Sequence, residues 1–88
     1  MWQARIYVTP KKGILDPQGS AVSKALGSLG FQQVSEVRVG KYLVVKLEAP
    51  GREEAERAVD QMCRRLLANP VIEDYTFEIA EFLGRVNH

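Results

Sequence analysis

The chain has 88 residues, 45% of them hydrophobic, and its 12 basic and 11 acidic side chains leave a formal charge of +1. A chain of this length forms one small domain with a thin core. Its single cysteine excludes an internal disulfide, and one cysteine with one histidine cannot supply the four ligands of a structural zinc site. Small domains without such supports often gain stability from partner copies, so the composition favours an oligomer.

Charge and hydropathy argue against two classes of partner. The near-zero net charge is unlike that of a nucleic-acid-binding arm. No apolar run reaches the roughly 18 residues of a membrane span, and residues 1–5 lead straight into a strand pattern instead of a signal peptide. We therefore expect a cytoplasmic protein that binds no membrane and no nucleic acid.

The first predicted element is a strand over residues 2–9, because apolar and polar side chains alternate there. Proline cannot donate to a strand ladder, so Thr9-Pro10 ends the strand. One face is expected to be buried, and it consists of Trp2, Ala4, Ile6 and Val8; the other consists of Gln3, Arg5, Tyr7 and Thr9.

A helix over residues 17–29 follows. Asp16 can accept from the free N–H groups of the first turn, and proline suits the first helical position. Gly30 suits the left-handed residue that ends a helix. The two internal glycines, Gly19 and Gly27, each weaken the helix by roughly 1 kcal/mol relative to alanine. Apolar residues recur at helical spacing, namely Ala21, Val22, Ala25, Leu26 and Leu29.

Residues 33–39 and 41–48 are predicted to form two strands joined at Gly40-Lys41. A two-residue loop would leave both faces of the second strand partly apolar, whereas a three-residue loop over 40–42 would give one apolar face. The sequence leaves this register open. The single apolar face would consist of Val37, Val39, Leu43, Val45 and Leu47.

The second half of the chain predicts a helix and a strand. Residues 52–69 form the helix, which ends at Asn69-Pro70, and Asp60 and Arg64 make a favourable i,i+4 pair. The helix carries an apolar stripe of Ala55, Val59, Met62 and Leu66. The last strand runs from Val71 to about residue 82, with Val71, Tyr75, Phe77 and Ile79 on one face.

The element order is therefore β-α-β-β-α-β in one α+β domain, residues 1–82, with a short C-terminal tail at 83–88. The expected architecture is the ferredoxin-like plan, a four-stranded, mainly antiparallel sheet with both helices on one face. The other face is then free for a partner. Its outward residues include Tyr7, Tyr42 and Val44, which we predict to lie at an interface.

No residue pattern indicates catalysis, cofactor binding or a metal. Cys63 lies beside the apolar stripe and is expected to be a packed, inert thiol. His88 is at the chain end, where few groups can orient a base. Glu73 and Asp74 are adjacent on a strand and point to opposite faces, which disfavours a shared metal. The Lys11–Gly13 loop lacks a phosphate-binding motif.

Three sequence blocks carry a family resemblance. Leu15–Val22, Val37–Tyr42 and Leu66–Tyr75 closely resemble the PurS family, and the likeness extends in order over residues 2–81. That family is the small subunit of bacterial and archaeal phosphoribosylformylglycinamidine synthase. Each block alone is modestly specific, but three in register within one short chain are strongly specific.

The resemblance implies a role in purine biosynthesis. The family's complex is a ligase that converts formylglycinamide ribonucleotide, glutamine and ATP to formylglycinamidine ribonucleotide, ADP, phosphate and glutamate. The implied partners are a glutaminase subunit, a large synthetase subunit, and further copies of this chain as a homodimer or a dimer of dimers. The small subunit is expected to be a non-catalytic assembly subunit that assists ammonia transfer, with ATP and magnesium on the synthetase.

A second function class shares the predicted fold. A ligand-sensing domain of the ACT kind also dimerises, and it binds amino acids at glycine-containing loops near the first strand and helix. Lys12-Gly13 is the segment of this chain that such a loop would use.

Overall fold

Residues 1–81 are described by the structure, which is a computed structural model. The predicted tail at 83–88, with His88, lies outside the described residues. The elements are β1 (Trp2–Pro10), α1 (Pro17–Ser28), β2 (Lys41–Leu47), α2 (Arg52–Met62), a π-helical turn (Cys63–Leu67) and β3 (Glu73–Glu81). The described strands form one three-stranded sheet in the order β2-β1-β3, and both pairings are antiparallel.

The central strand β1 has the two faces that its alternating sequence predicts. Ala4, Ile6 and Val8 are almost completely buried, and they pack with Ala55 and Val59 of α2. The pairing register places Ile6 opposite Leu43 of β2 and opposite Phe77 of β3. Apolar side chains of all three strands, among them Ile6, Leu43 and Phe77, therefore lie on the face that α2 covers.

Helix α2 departs from its predicted stripe at its C-terminal end. Ala55, Val59 and Cys63 are buried, as the periodicity predicts, but Leu66 is exposed. The reason is the π-helical turn, in which the Ala68 N–H donates to the Cys63 carbonyl five residues earlier. The wider turn rotates the following side chains, so Ala68 is buried in place of Leu66.

The predicted strand over residues 33–39 is wrong, because the structure assigns no strand to this segment. A two-residue hairpin at Gly40-Lys41 needs positive φ in its loop, yet Gly13 and Gly30 are the only residues of the described chain with positive φ. A Cβ at Gly40 would lie 2.2 Å from the Val8 carbonyl oxygen, so the chain passes close against the end of β1 without reversing. The sheet therefore has three strands instead of four, and the open question of hairpin register disappears.

The two helices do not share a face of the sheet as predicted. All the buried core residues come from the strands, α2, the π-helical turn and Ala68, and α1 contributes none. Residues 14–40 instead form an arm, in which α1 leads away from the end of β1 and residues 29–40 return to the start of β2. The ferredoxin-like plan is thus not complete within the described chain.

Asp16 ties the two sides of the arm together. Its carboxylate accepts from the Gly19 N–H at 3.0 Å, which is the predicted helix cap, and also from the Val39 N–H at 2.9 Å. These two backbone hydrogen bonds are the main causes that lower the pKa of Asp16 below its usual value. The returning segment is therefore held against the first turn of α1.

The C-terminal end of α1 follows the local sequence. Gly30 has a φ of 100°, its N–H donates to the Gly27 carbonyl, and the Phe31 N–H donates to the Leu26 carbonyl. This is the Schellman pattern of helix termination, and it requires a residue that tolerates positive φ. Gly30 thus confirms its predicted role.

The last strand begins two residues later than predicted. The Asn69 carbonyl accepts from the Ile72 and Glu73 N–H groups, and the Asn69 side chain accepts from the Val71 N–H. This turn keeps Val71 out of the sheet and leaves it exposed, so its predicted place on the apolar face is wrong. Tyr75, Phe77 and Ile79 do lie on the covered face.

Gly19 and Gly27 provide a matched test of the arm. A Cβ at Gly19 would lie 2.2 Å from the Val37 carbonyl oxygen, whereas a Cβ at Gly27 would meet nothing within 4 Å. We expect Gly27→Ala to stabilise α1 by up to about 1 kcal/mol and Gly19→Ala to destabilise the arm by about 1–3 kcal/mol through overpacking. Amide hydrogen exchange of α1 measures both changes. Faster exchange in Gly27→Ala, or slower exchange in Gly19→Ala, would contradict the contact.

The two hydrogen bonds to Asp16 predict a pH dependence. Because they lower the pKa of Asp16 in the folded state, the arm has their full stabilisation above the usual carboxyl pKa of about 3.9 and loses it as the pH falls through the lowered value. In an NMR titration, the Val39 and Gly19 amide protons should shift with a common pKa below that usual value. In Asp16→Asn this common transition should be absent; its persistence would assign it to another group.

Candidate functional site

The uncovered face of the sheet brings the three predicted interface residues together. Tyr7 lies directly opposite Tyr42 in the β1–β2 register, and their rings stack with centroids 5.2 Å apart. Val44 is on the same face, opposite Arg5. All three side chains are exposed, at 39%, 57% and 50% respectively. We call Tyr7, Tyr42 and Val44 the open-face patch.

Charged side chains border this patch. Arg5 forms an ion pair with Glu78 of β3 at 3.6 Å, and Lys11 forms one with Asp74 at 2.8 Å. Surface pairs of this kind contribute little to stability. They nevertheless surround an aromatic and aliphatic centre with polar groups, which is the arrangement typical of protein–protein contact surfaces.

The arm exposes a second apolar surface. Leu15 and Leu29 are 84% and 73% exposed, and Val22 and Phe31 are also exposed. The predicted apolar stripe of α1 is therefore present, but most of it faces outward. In a small domain, exposed apolar side chains collected on one element mark a site of interaction.

The cysteine has the inert environment that its position predicts. Cys63 is fully buried and free. Burial is the largest cause that raises the pKa of its thiol, and the charge of Asp60 raises it further. A nucleophilic cysteine needs a lowered pKa and some access, so Cys63 belongs to the core.

The acidic residues of β3 separate as predicted. Glu73 accepts from the Asn69 N–H on one side of the strand, while Asp74 pairs with Lys11 on the other. Among residues 1–81, no group of three or more histidine, cysteine, aspartate or glutamate side chains could hold a metal. At the Lys11–Gly13 loop, Lys11 is engaged by Asp74 and the cap of α1 is occupied by Asp16.

One polar cluster is only partly predicted by the sequence. The predicted Asp60–Arg64 pair is present at 2.8 Å, but Asp60 also accepts from the Tyr75 hydroxyl of β3. That hydrogen bond is the first cause both of the lowered pKa of Asp60 and of the raised pKa of Tyr75. The phenol stays protonated and acts as a structural donor. A tyrosine on an apolar strand face needs a hydrogen-bond partner for its hydroxyl, but sequence spacing does not identify that partner.

Beside this cluster lies an open groove between α2 and β3, of about 470 Å³. Phe77 forms its apolar part, and the other lining residues are Glu53, Glu56, Arg57, Asp60 and Gln61. The cluster fixes α2 to the sheet, and the shifted pKa values of Asp60 and Tyr75 follow from that structural role.

Neither α1 nor α2 has the length and apolar content of a membrane-spanning helix, within the part of the chain that the structure describes.

These features define a class of protein, a small α+β chain with two exposed apolar surfaces. Comparison with known proteins makes the assignment specific. The family model PurS, phosphoribosylformylglycinamidine (FGAM) synthase, matches residues 3–81. A PurS subunit from Synechocystis sp. is 49% identical over 85 residues, covering 97% of this chain and 85% of the relative. The chain therefore belongs to the PurS family of FGAM synthase subunits.

Solved structures agree with this family. PurS from Bacillus subtilis superposes with a TM-score of 0.83 at 46% identity, over 92% of this chain and 100% of that one. A chain in the structure of PurLQS from Thermotoga maritima gives a TM-score of 0.81 at 29% identity, over 90% and 96% of the two chains. The three-stranded sheet with two helices is thus the form of solved relatives as well.

Two neighbouring valines test which face of β2 is covered. Val44 is exposed on the open face, whereas Val45 packs against the core. We expect Val44→Asp to change the free energy of unfolding by no more than about 1 kcal/mol, the span of strand propensities. Val45→Asp should lower it by about 2 kcal/mol or more, because it places a charge against the core. Urea unfolding at a concentration where the chain is monomeric measures both; equal losses would contradict the register.

Proposed function

We propose that this chain is the non-catalytic assembly subunit of an FGAM synthase, which docks the glutaminase subunit to the synthetase subunit. The observation that carries the proposal is the similarity, over 90% of the chain, to a subunit in the PurLQS structure. Cys63 is buried and burial raises the pKa of its thiol, which argues against a nucleophilic role for this residue. The exposed open-face patch and arm provide surface for contacts with other subunits.

The chemistry of the complex explains why such a subunit is useful. Formylglycinamide ribonucleotide reacts with glutamine and ATP to give formylglycinamidine ribonucleotide, so ammonia released at one active site must reach another. Ammonia that escapes into water is protonated and ceases to be a nucleophile. A subunit that holds the two active sites together shortens the route and shields it. ATP and magnesium then bind the synthetase, and this chain binds neither.

The open-face patch is the surface through which we expect this chain to assemble, as a homodimer or a dimer of dimers. Its stacked tyrosines are rigid and can be desolvated without loss of much side-chain entropy. The free Cys63 thiol is compatible with the cytoplasm, where thiols remain reduced.

Reconstitution tests the proposed function. The chain is mixed with glutaminase and synthetase subunits, glutamine and Mg-ADP, and the assembly is followed by co-elution; glutamine-dependent amidine formation is then assayed with Mg-ATP. Co-elution and a strong gain in glutamine-dependent activity are expected when this chain is present. Full glutamine-dependent activity without it would overturn the proposal.

The open-face patch is tested in the same assay. Val44→Asp should weaken assembly about tenfold, as loss of a central contact residue does, while ammonia-dependent activity of the synthetase remains unchanged. Gln61→Glu, which also adds one negative charge but lies exposed on α2, should behave like the unaltered chain. Equal effects of the two variants would remove the open-face patch from the proposal.

A thermal-shift screen separates assembly from ligand sensing. The assembly subunit should show no shift with amino acids or nucleotides. A clear shift with one small ligand, lost in Lys12→Ala, would favour the ACT-like alternative.

A further inference from the structure

The groove between α2 and β3 begins where β3 ends. The Arg52 guanidinium, at the start of α2, donates to the Ile79 carbonyl at 3.0 Å, whereas Asp60, near the end of α2, accepts from the Tyr75 hydroxyl. Helix α2 therefore runs antiparallel to β3. Residues 82–88 follow β3 directly in the sequence, so this segment starts beside the first turn of α2.

The apolar floor of the groove is incompletely covered. Phe77 faces α2 but is only partly buried. β3 is an edge strand of the described sheet, so no strand among residues 1–81 lies along its outer side. The open volume beside it is about 470 Å³, which is room for several side chains.

The α2 wall of the groove is acidic. One guanidinium lines it, that of Arg57, and this group forms an ion pair with Glu54 at 3.9 Å. Glu53 has no ion-pair partner among residues 1–81. The groove therefore suits a segment that combines apolar side chains with a positive charge. The lining carboxylates are those of Glu53, Glu56 and Asp60.

Residues 82–88 have that composition. The segment contains no acidic residue, and Arg85 is its only arginine or lysine. Gly84 lacks a Cβ and allows the chain to reverse direction at low cost. The apolar side chains of the segment are Phe82, Leu83 and Val86.

The length of the segment also fits. The distance back along β3 from Glu81 to Phe77 is about 14 Å. Five extended residues, from 82 to 86, span about 17 Å. Val86 can therefore reach Phe77, and the residue before it can reach the first two turns of α2.

We propose that residues 82–88 fold back into this groove of the same chain, with Val86 on Phe77 and the Arg85 guanidinium between Glu53 and Glu56. The contact covers the apolar floor and supplies the basic partner that Glu53 lacks. The groove is then an internal docking site. The contact is made in the isolated chain and does not depend on the proposed function, which reconstitution tests separately.

Cross-linking of the full chain tests the placement. Val86→Cys is combined with Gln61→Cys, in the groove, or with Thr76→Cys, exposed on the open face beside Phe77. Cys63 is fully buried and does not compete for a bismaleimide under native conditions. The Gln61→Cys chain should link several-fold more than the Thr76→Cys chain. Equal yields would overturn the proposal.

Isotope mixing identifies the chain that supplies the segment. Heavy and light populations of the chain with Gln61→Cys and Val86→Cys are mixed before the bismaleimide is added. Links within single populations are expected by mass spectrometry. Heavy–light links at the statistical level would overturn the proposal and would assign the groove to a second copy.

A charge exchange gives an independent readout. Arg85→Glu should speed maleimide labelling of Gln61→Cys about two- to fivefold, as loss of a surface ion pair does, whereas Arg85→Lys should change the rate little. Glu53→Lys combined with Arg85→Glu should restore the slow rate. An unchanged rate in Arg85→Glu would overturn the proposal. Protection that appears only after the synthetase subunit is added would also overturn it and would assign the groove to that subunit.

Discussion

Strand β1 carries antiparallel partners on both edges, and Ala4, Ile6 and Val8 on its covered face are buried beneath α2. Because strand side chains alternate, the register of β1 decides which residues of β2 and β3 face α2 and which remain outside. The stacked Tyr7–Tyr42 pair follows from that register. A slip of β1 by one residue would turn Tyr7 toward α2 and expose Ile6.

Residues 14–40 pair with neither outer edge of the described sheet, in which β2 and β3 are the edge strands. With β2 and β3 in place, residues 14–40 form an arm outside the sheet, held mainly by Asp16 and by the glycine contact at Gly19. The result is a small core with two exposed apolar surfaces. Such a distribution is unfavourable for an isolated chain and suits a subunit whose surfaces are covered by other chains.

Much of the local structure was predictable, because it depends on neighbours in sequence. Asp16-Pro17 begins α1, Gly30 ends it in the left-handed conformation, and the alternation of residues 2–9 forms a strand with the expected buried face. The open-face position of Tyr7, Tyr42 and Val44 also followed from alternation. The family assignment rested on three short blocks, and the match over residues 3–81 confirms it.

The sequence by itself thus determined the local elements, their faces and the family. The tertiary structure alone decided that residues 33–39 form no strand and that α1 leaves the sheet uncovered beside β2. It also decided that the Asp60 carboxylate accepts a hydrogen bond from the Tyr75 hydroxyl. The physical reason is the same in each case. Periodicity shows which side of an element is apolar, but whether a segment pairs as a strand or a helix packs on the sheet depends on where the chain lies relative to residues distant in sequence.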